Sequence, residues 1–222
     1  IREMVEANIA KGYKFMVITD HSQSLRVANG LQVERLLRQN EEIKQLNKEY
    51  DEIDIYSGIE MDILPDGSLD YDDEILAQLD YVIAAIHQSF NQSEAEIMQR
   101  LENACHNPYV RHIAHPTGRI IGRRPGYEPN IEKLAQLAEE TNTILEINAN
   151  PKRLDLNAQT VRQYPNVKLT INTDAHHVDH LEFMKYGVAT AQKGFVTKDR
   201  VINTMSREAF KSFINDNKKL KK

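Results

Sequence analysis

Tyr81-Val82-Ile83-Ala84-Ala85-Ile86-His87-Gln88-Ser89 decides how the rest of the chain is read. Its six apolar or aromatic residues show no polar alternation and form a run shorter than a buried helix, which suits a strand covered on both faces of a parallel sheet. The run then stops at an imidazole. Similar runs occur at 15–18, 53–56, 110–114, 143–147 and 167–171. Stretches with helical spacing separate them. Ile1, Met4, Val5 and Ile9 form one stripe, closed by Gly12. Val33, Leu36, Leu37, Ile43 and Leu46 form another. Ser93 and Glu96 make a capping-box pattern before Ile97 and Leu101, and Asn130 is placed to cap a helix through Ile131, Leu134 and Leu137. This alternation predicts an α/β fold with a parallel sheet, doubly wound or closed as a barrel, in one domain spanning 1–222.

The chemistry lies just after the strands. The first runs into Thr19-Asp20-His21-Ser22, the second ends at Gly58-Ile59-Glu60-Met61-Asp62, and the third reaches His87. The fourth ends at Ala114-His115-Pro116-Thr117-Gly118 and the sixth at Thr173-Asp174-Ala175-His176. Side chains at the carboxyl ends of parallel strands converge on one face. Imidazoles and carboxylates gathered there need a cation between them, and divalent metal ions are the simplest choice. The candidate ligands are His21, Glu60, His87, His115, Asp174 and His176. Nitrogen and oxygen donors without thiolate suit Mn²⁺, Zn²⁺ or Fe²⁺.

Other residues read differently. Strand parity puts His115 on the face of Ile113 and Arg111 and turns His112 away, so His112 is expected to be structural. Asp62 reads as a turn residue before Pro65-Asp66-Gly67, and Asp70-Tyr71-Asp72-Asp73-Glu74 as a solvated helix start. Glu60 has a rival reading as an arginine partner. His180 is expected at the surface, His177 off the site, His106 in a cap and Cys105 in the core. Arg119, Arg123 and Arg124 follow the His115 strand, and Lys152 and Arg153 follow Asn148-Ala149-Asn150-Pro151. Of these, Arg119, Arg124 and Arg153 are the candidates for binding substrate, because a guanidinium fork matches phosphate oxygens.

Composition bounds the rest. The 222 residues hold 28 Lys plus Arg against 33 Asp plus Glu, a net charge of −5 that argues against a generally basic surface. One cysteine excludes an internal disulfide and fits a reducing, cytoplasmic compartment. No apolar run approaches the ~18 residues of a membrane span. The basic run at 218–222 reads as a frayed, solvated terminus.

Ile18-Thr19-Asp20-His21-Ser22, Gly58-Ile59-Glu60, Ile86-His87, Ala114-His115-Pro116 and Thr173-Asp174-Ala175-His176 together resemble the motif series of the polymerase-and-histidinol-phosphatase (PHP) superfamily. Ser22-Gln23-Ser24-Leu25, His115-Pro116-Thr117-Gly118-Arg119, and Glu146-Ile147-Asn148 before Pro151-Lys152-Arg153-Leu154-Asp155 are similar to the carboxyl-terminal PHP domain of bacterial family X DNA polymerases. The resemblance implies a distorted seven-stranded TIM-like β/α barrel holding up to three divalent ions, Mn or Zn. Glu60 would bridge two, His87 and His115 would complete one of those sites, Asp174 would help to hold the other, and His21 and His176 would belong to a third. It implies phosphoester hydrolysis at DNA 3′ ends in repair, with Glu60, His87 and Asp174 acting through the ions they hold. A linked polymerase domain is the implied partner. The family's first motif, a His-x-His pair on a strand before the first helix, is not in the sequence. The barrel is therefore expected to lack that strand, and this chain by itself to be weakly active. Two rival readings are a small-molecule phosphatase, such as one for histidinol phosphate, and a non-catalytic module that positions a polymerase.

Overall fold

The apolar runs do become strands, and all of them pair in parallel. The computed structural model describes residues 1–220, with side chains to residue 215; the basic run at 218–222 lies outside the described side chains. Six strands, β1 (Phe15–Ile18), β2 (Asp54–Asp62), β3 (Tyr81–Ala85), β4 (Val110–Ile113), β5 (Ile144–Asn148) and β6 (Leu169–Asn172), lie side by side in sequence order. They form one curled α/β half-barrel, as a distorted TIM-like barrel requires. The crossovers are α2 (Val33–Glu49), α4 (Glu94–His106), α5 (Ile131–Thr141) and the shorter α3 (Asp73–Leu76) and α6 (Ala158–Gln163). α1 (Arg2–Ala10) precedes β1, while α7 (Met184–Lys193) and α8 (Arg207–Leu220) follow β6.

Helix boundaries follow local chemistry. The Ser93 hydroxyl accepts from the Glu96 amide while Glu96 reaches back to Ser93, completing the capping box of α4. Asn130 accepts from the Lys133 amide at the start of α5. His106, the last residue of α4, bonds the Glu102 carbonyl within its own final turn.

Strand alternation separates two cores. Outward, Ile59, Met61, Val82, Ala84, Ile113, Leu145 and Ile147 pack against Leu36, Ile97, Leu101, Leu134 and Val161 of the helices, with Cys105 among them. Inward, Tyr81, Ile83, Ala85, Ala114 and Ile144 meet Phe210 and Ile214 of α8. The Phe210 ring stacks on Phe15 at 4.0 Å. α8 thus fills the concave side, and Arg207 ties its start to Asp54 at 2.7 Å. A third, smaller cluster joins Val5 of α1, Ile43 and Leu46 of α2, and Ile53 and Ile55. Beyond β6, Val201 bridges to Leu169, and the Asn203 side chain bonds both the amide and the carbonyl of Ile171. That contact covers an otherwise open strand edge.

Simple parity fails on β4. Val82 pairs with Val110 but Ile83 pairs with His112, so Arg111 is the extra residue of a bulge. Arg111 therefore bonds the Ile214 carbonyl of α8 while Ile113 packs outward. His115 lies past the strand at φ +30° and joins Glu60 on the inner side, with Arg111 but apart from Ile113. His112 is fully buried inside, 3.0 Å from the Thr170 hydroxyl, and burial lowers its pKa to about 3.

Two outcomes follow. Phe210 is 3% exposed, so Phe210→Ala is expected to cost about 3–5 kcal/mol in urea denaturation, whereas Val27→Ala, at 99% exposure, should change little. The hydrogen bond from Arg207 holds the Asp54 carboxyl below its ordinary value, with burial opposing. A lowered folded-state pKa stabilises above the unfolded value and is lost on acidification. The gap in urea midpoint between the parent and Arg207→Met should therefore be full at neutral pH and shrink below about pH 4.

Candidate metal centre

Glu60 is the focus of the site. On β2 it alternates with Ile59 and Met61, so those two enter the outer core while Glu60 points inward, 8% exposed. β1 continues alongside it: the Glu60 amide donates to the Asp20 carbonyl, and the Ser22 amide donates to the Glu60 carbonyl. His21 is thereby held level with Glu60. The following loop closes tightly, since a Cβ on Gly30 would sit 1.9 Å from the Ser22 carbonyl oxygen.

Three imidazoles converge on the Glu60 carboxylate. His115 Nε2 lies 2.8 Å and His87 Nε2 3.2 Å from Oε1, and His21 Nδ1 lies 3.7 Å from Oε2. His21, Glu60 and His87 each offer a ligand atom, all within 4.8 Å of one another. Among the described residues, His21 Nδ1 is buried with no hydrogen-bond partner. A buried carboxylate ringed by imidazoles, with the Nδ1 atoms of His21 and His115 both left without a partner among those residues, fits a divalent metal cation.

The electrostatics agree. Burial alone would raise the Glu60 carboxyl, but hydrogen bonds from His115 and His87 hold it well below the usual range. Burial would lower His87, yet its bonds to Asp62 and Glu60 push it up to about 9. Burial lowers His21, with the Glu60 charge opposing. With no cation bound, a proton on His87 holds the carboxylates together.

Asp62 is no turn residue. It ends β2 at 1% exposure, and its Oδ1 lies 3.2 Å from both the amide and Nδ1 of His87. Its Oδ2 accepts from Ser24 and Gln88. A carboxylate on the far ring nitrogen fixes the orientation of a ligating histidine. Asp70 also departs from expectation: it accepts from the Ser24 amide, tying down the loop after His21 instead of standing in solvent. The period-2 spacing of Glu60 and Asp62 was the signal for Asp62.

Asp174 and His176 stand at the rim. Asp174, at φ +52°, accepts from Asn148 at 3.2 Å and lies 3.4 Å from Arg153 Nε. The His176 side chain is 62% exposed; its Nδ1 bonds the Asp174 carbonyl, and its ring centre lies 6.1 Å from that of His21. The structure thus gathers four of the six candidates around one carboxyl group and leaves two at the edge. His177 accepts from the Asp179 amide, and His180 accepts from the His176 amide and stacks on Phe183.

The arginines divide similarly. Arg153 faces Asp174. Arg119 spends its guanidinium on the carbonyls of Arg153 and Leu154. Arg124 bonds the Gly118 carbonyl and lies 3.9 Å over the Phe90 ring. Behind the ligands is buried Glu146, a residue within a recognised motif but without an expected role. Its oxygens accept from the His115 amide, Asn148 and Asn172, while burial and then the charge of Asp174 push its pKa up to about 8.

Removing the central carboxylate should abolish metal binding. Glu60→Gln and His87→Ala are each expected to leave negligible Mn or Zn after dialysis, measured by elemental analysis, where the parent retains it. Parental metal content in both variants would exclude this centre.

A model of the PHP domain matches residues 1–150, a segment that contains His21, Glu60, His87 and His115. The chain is 55% identical over 219 residues to the DNA polymerase/3′-5′ exonuclease PolX of Bacillus subtilis strain 168, covering 98% of this chain and 38% of that protein. It thus spans well under half the length of that relative. It is 27% identical to a probable phosphatase of Thermoanaerobacter sp. strain X514, over 92% of this chain and 83% of the relative. Among solved structures, histidinol phosphate phosphatase from Lactococcus lactis, complexed with zinc, L-histidinol and phosphate, superimposes with a TM-score of 0.61 at 16% identity, covering 88% of each chain. That likeness concerns the fold. By the domain match across most of its length, this chain belongs to the PHP domain family.

Proposed function

We propose that this PHP-type, metal-dependent phosphoesterase acts on DNA 3′ ends, as a 3′→5′ exonuclease or 3′-phosphatase linked to a polymerase domain in a bacterial cytoplasm. The observation carrying this reading is the 55% identity to a polymerase/3′-5′ exonuclease across 98% of the chain. In it His21, Glu60, His87 and His115 hold metal from within the cluster, and Asp174 and His176 complete the sites at the rim. With Nδ1 engaged by the Asp174 carbonyl, His176 has Nε2 as its available ligand atom.

Divalent ions bound there would polarise the phosphoryl oxygens and activate water. The protein's own groups supply position and charge. Asp62 fixes the His87 ring through Nδ1, leaving Nε2 toward Glu60. Arg153, held at its carbonyl by Arg119, presents a guanidinium beside Asp174 that suits the phosphoryl charge. Arg119 and Arg124 serve this reading mainly by shaping the loops that carry it.

A second reading, a small-molecule phosphatase, draws support from relatives named as phosphatases that match this chain over most of their length. Turnover in the full natural protein separates the two. With Mn²⁺ present, hydrolysis of 3′-recessed or 3′-phosphorylated DNA is expected to exceed that of histidinol phosphate by at least about ten-fold in kcat/KM, a gap of about 1.4 kcal/mol in transition-state binding. Glu60→Ala and His87→Ala should abolish the DNA activity. The reverse preference would favour the small-molecule reading, and full activity in both variants would sink the hydrolase assignment.

A further inference from the structure

We propose that Glu146 is a positioning residue that holds the two parts of the metal centre, the inner cluster and the rim, in fixed relation. The inference rests on reading the cluster as a metal centre and goes beyond it by assigning a role to a residue outside the ligand set.

Glu146 lies on β5, between the strands that deliver His115 and Asp174, and is 4% exposed. Oε2 accepts from the His115 amide at 2.7 Å and from Asn148 Nδ2 at 3.1 Å; Oε1 accepts from Asn172 Nδ2 at 3.0 Å. The Asn148 amide also donates to Asp174 Oδ2 at 3.2 Å. One carboxylate therefore reaches the backbone of one ligand candidate directly and the side chain of another through a single amide.

Both of those residues have backbones that L-amino acids rarely adopt, at φ +30° for His115 and φ +52° for Asp174. Such conformations persist only where neighbours over-determine them. The His115 turn is what brings Nε2 to 2.8 Å from Glu60. All three partners of Glu146 are N–H donors, and the two oxygens of its carboxyl group, protonated or ionised, meet them with lone pairs. Glutamine has nearly the same shape but would set its NH₂ against at least one donor. From beneath, Asn172 is braced by Thr170, which also bonds His112. The chain from His112 to Asp174 is thus a continuous polar support under the ligands.

The test is Mn²⁺ alone, titrated into the full chain and followed by the electron paramagnetic resonance signal of the free ion. Glu146→Gln is expected to weaken Mn²⁺ binding about ten-fold or more, the usual range for a group that orients a ligand. The His115 amide should also exchange faster with solvent in the metal-free variant. Asn148→Ala, which leaves the bond between Glu146 and the His115 amide in place, should weaken Mn²⁺ binding while His115 keeps its protection. Ile43→Val, a core change away from the site, serves as the control for general loosening and should retain parental affinity. Glu146→Gln with parental affinity, or with a loss no greater than that of Ile43→Val, overturns the proposal. If Glu146→Gln does not fold, parental affinity in Asn148→Ala overturns it. A parent that takes up no Mn²⁺ overturns the metal reading and this inference together, whereas equal binding by parent and variant overturns this inference alone.

Discussion

A carboxylate buried among three imidazoles is the constraint on which the rest of this site depends. Taking the Glu60 charge out of water costs several kcal/mol unless positive charge or strong donors replace the solvent. The replacement comes from three different strand ends, through His21, His87 and His115. Each imidazole brings a nitrogen to the same small volume, and only a proton or a metal ion can be shared there without repulsion. With no ion, His87 carries the proton. A divalent cation would replace it, which is why metal binding at such a site releases protons.

Around that centre, two further buried carboxylates give the ligands their orientation. Asp62 addresses the ring of His87, and Glu146 addresses the backbone of His115. The left-handed backbones at His115 and Asp174 are local strain of about 1–3 kcal/mol each, sustained by these polar contacts. Function and stability pull in opposite directions here. The outer core of Ile59, Met61, Ile113 and Leu145 and the Phe210 plug on the inner side supply the apolar burial that offsets the strain. α8 closes the concave face beneath the site with aromatic contacts, and His112 and Thr170 of the polar floor are buried.

The same geometry sorts the cationic residues. Several arginines lie in the loops above the strand ends, but Arg119 and Arg124 each turn two guanidinium nitrogens onto backbone carbonyls. Arg119 and Arg124 build the loops; Arg153 faces the carboxylate of Asp174. A positive residue close in sequence to a ligand is therefore a poor guide to contact with a substrate. What matters is which of its donors remain free of the protein's own acceptors.

The six strands, the helices α1, α2, α4 and α5, the caps of α4 and α5 and the placement of ligand-type residues after strands were legible from the sequence, because they depend on short-range periodicity and local hydrogen bonding. So was the likeness to the PHP family, carried by short strings around each ligand. Tertiary structure alone decided the rest. Parity along β4 misled because a bulge at Arg111 and a left-handed turn at His115 break the period of two. Asp62 read as a turn residue and Glu146 drew no role because a carboxylate's partners come from strands distant in sequence; only the period-2 spacing of Asp62 with Glu60 offered a local sign. The split between four gathered residues and two at the rim likewise depends on how strongly the sheet curls, a property of all six strands packed together.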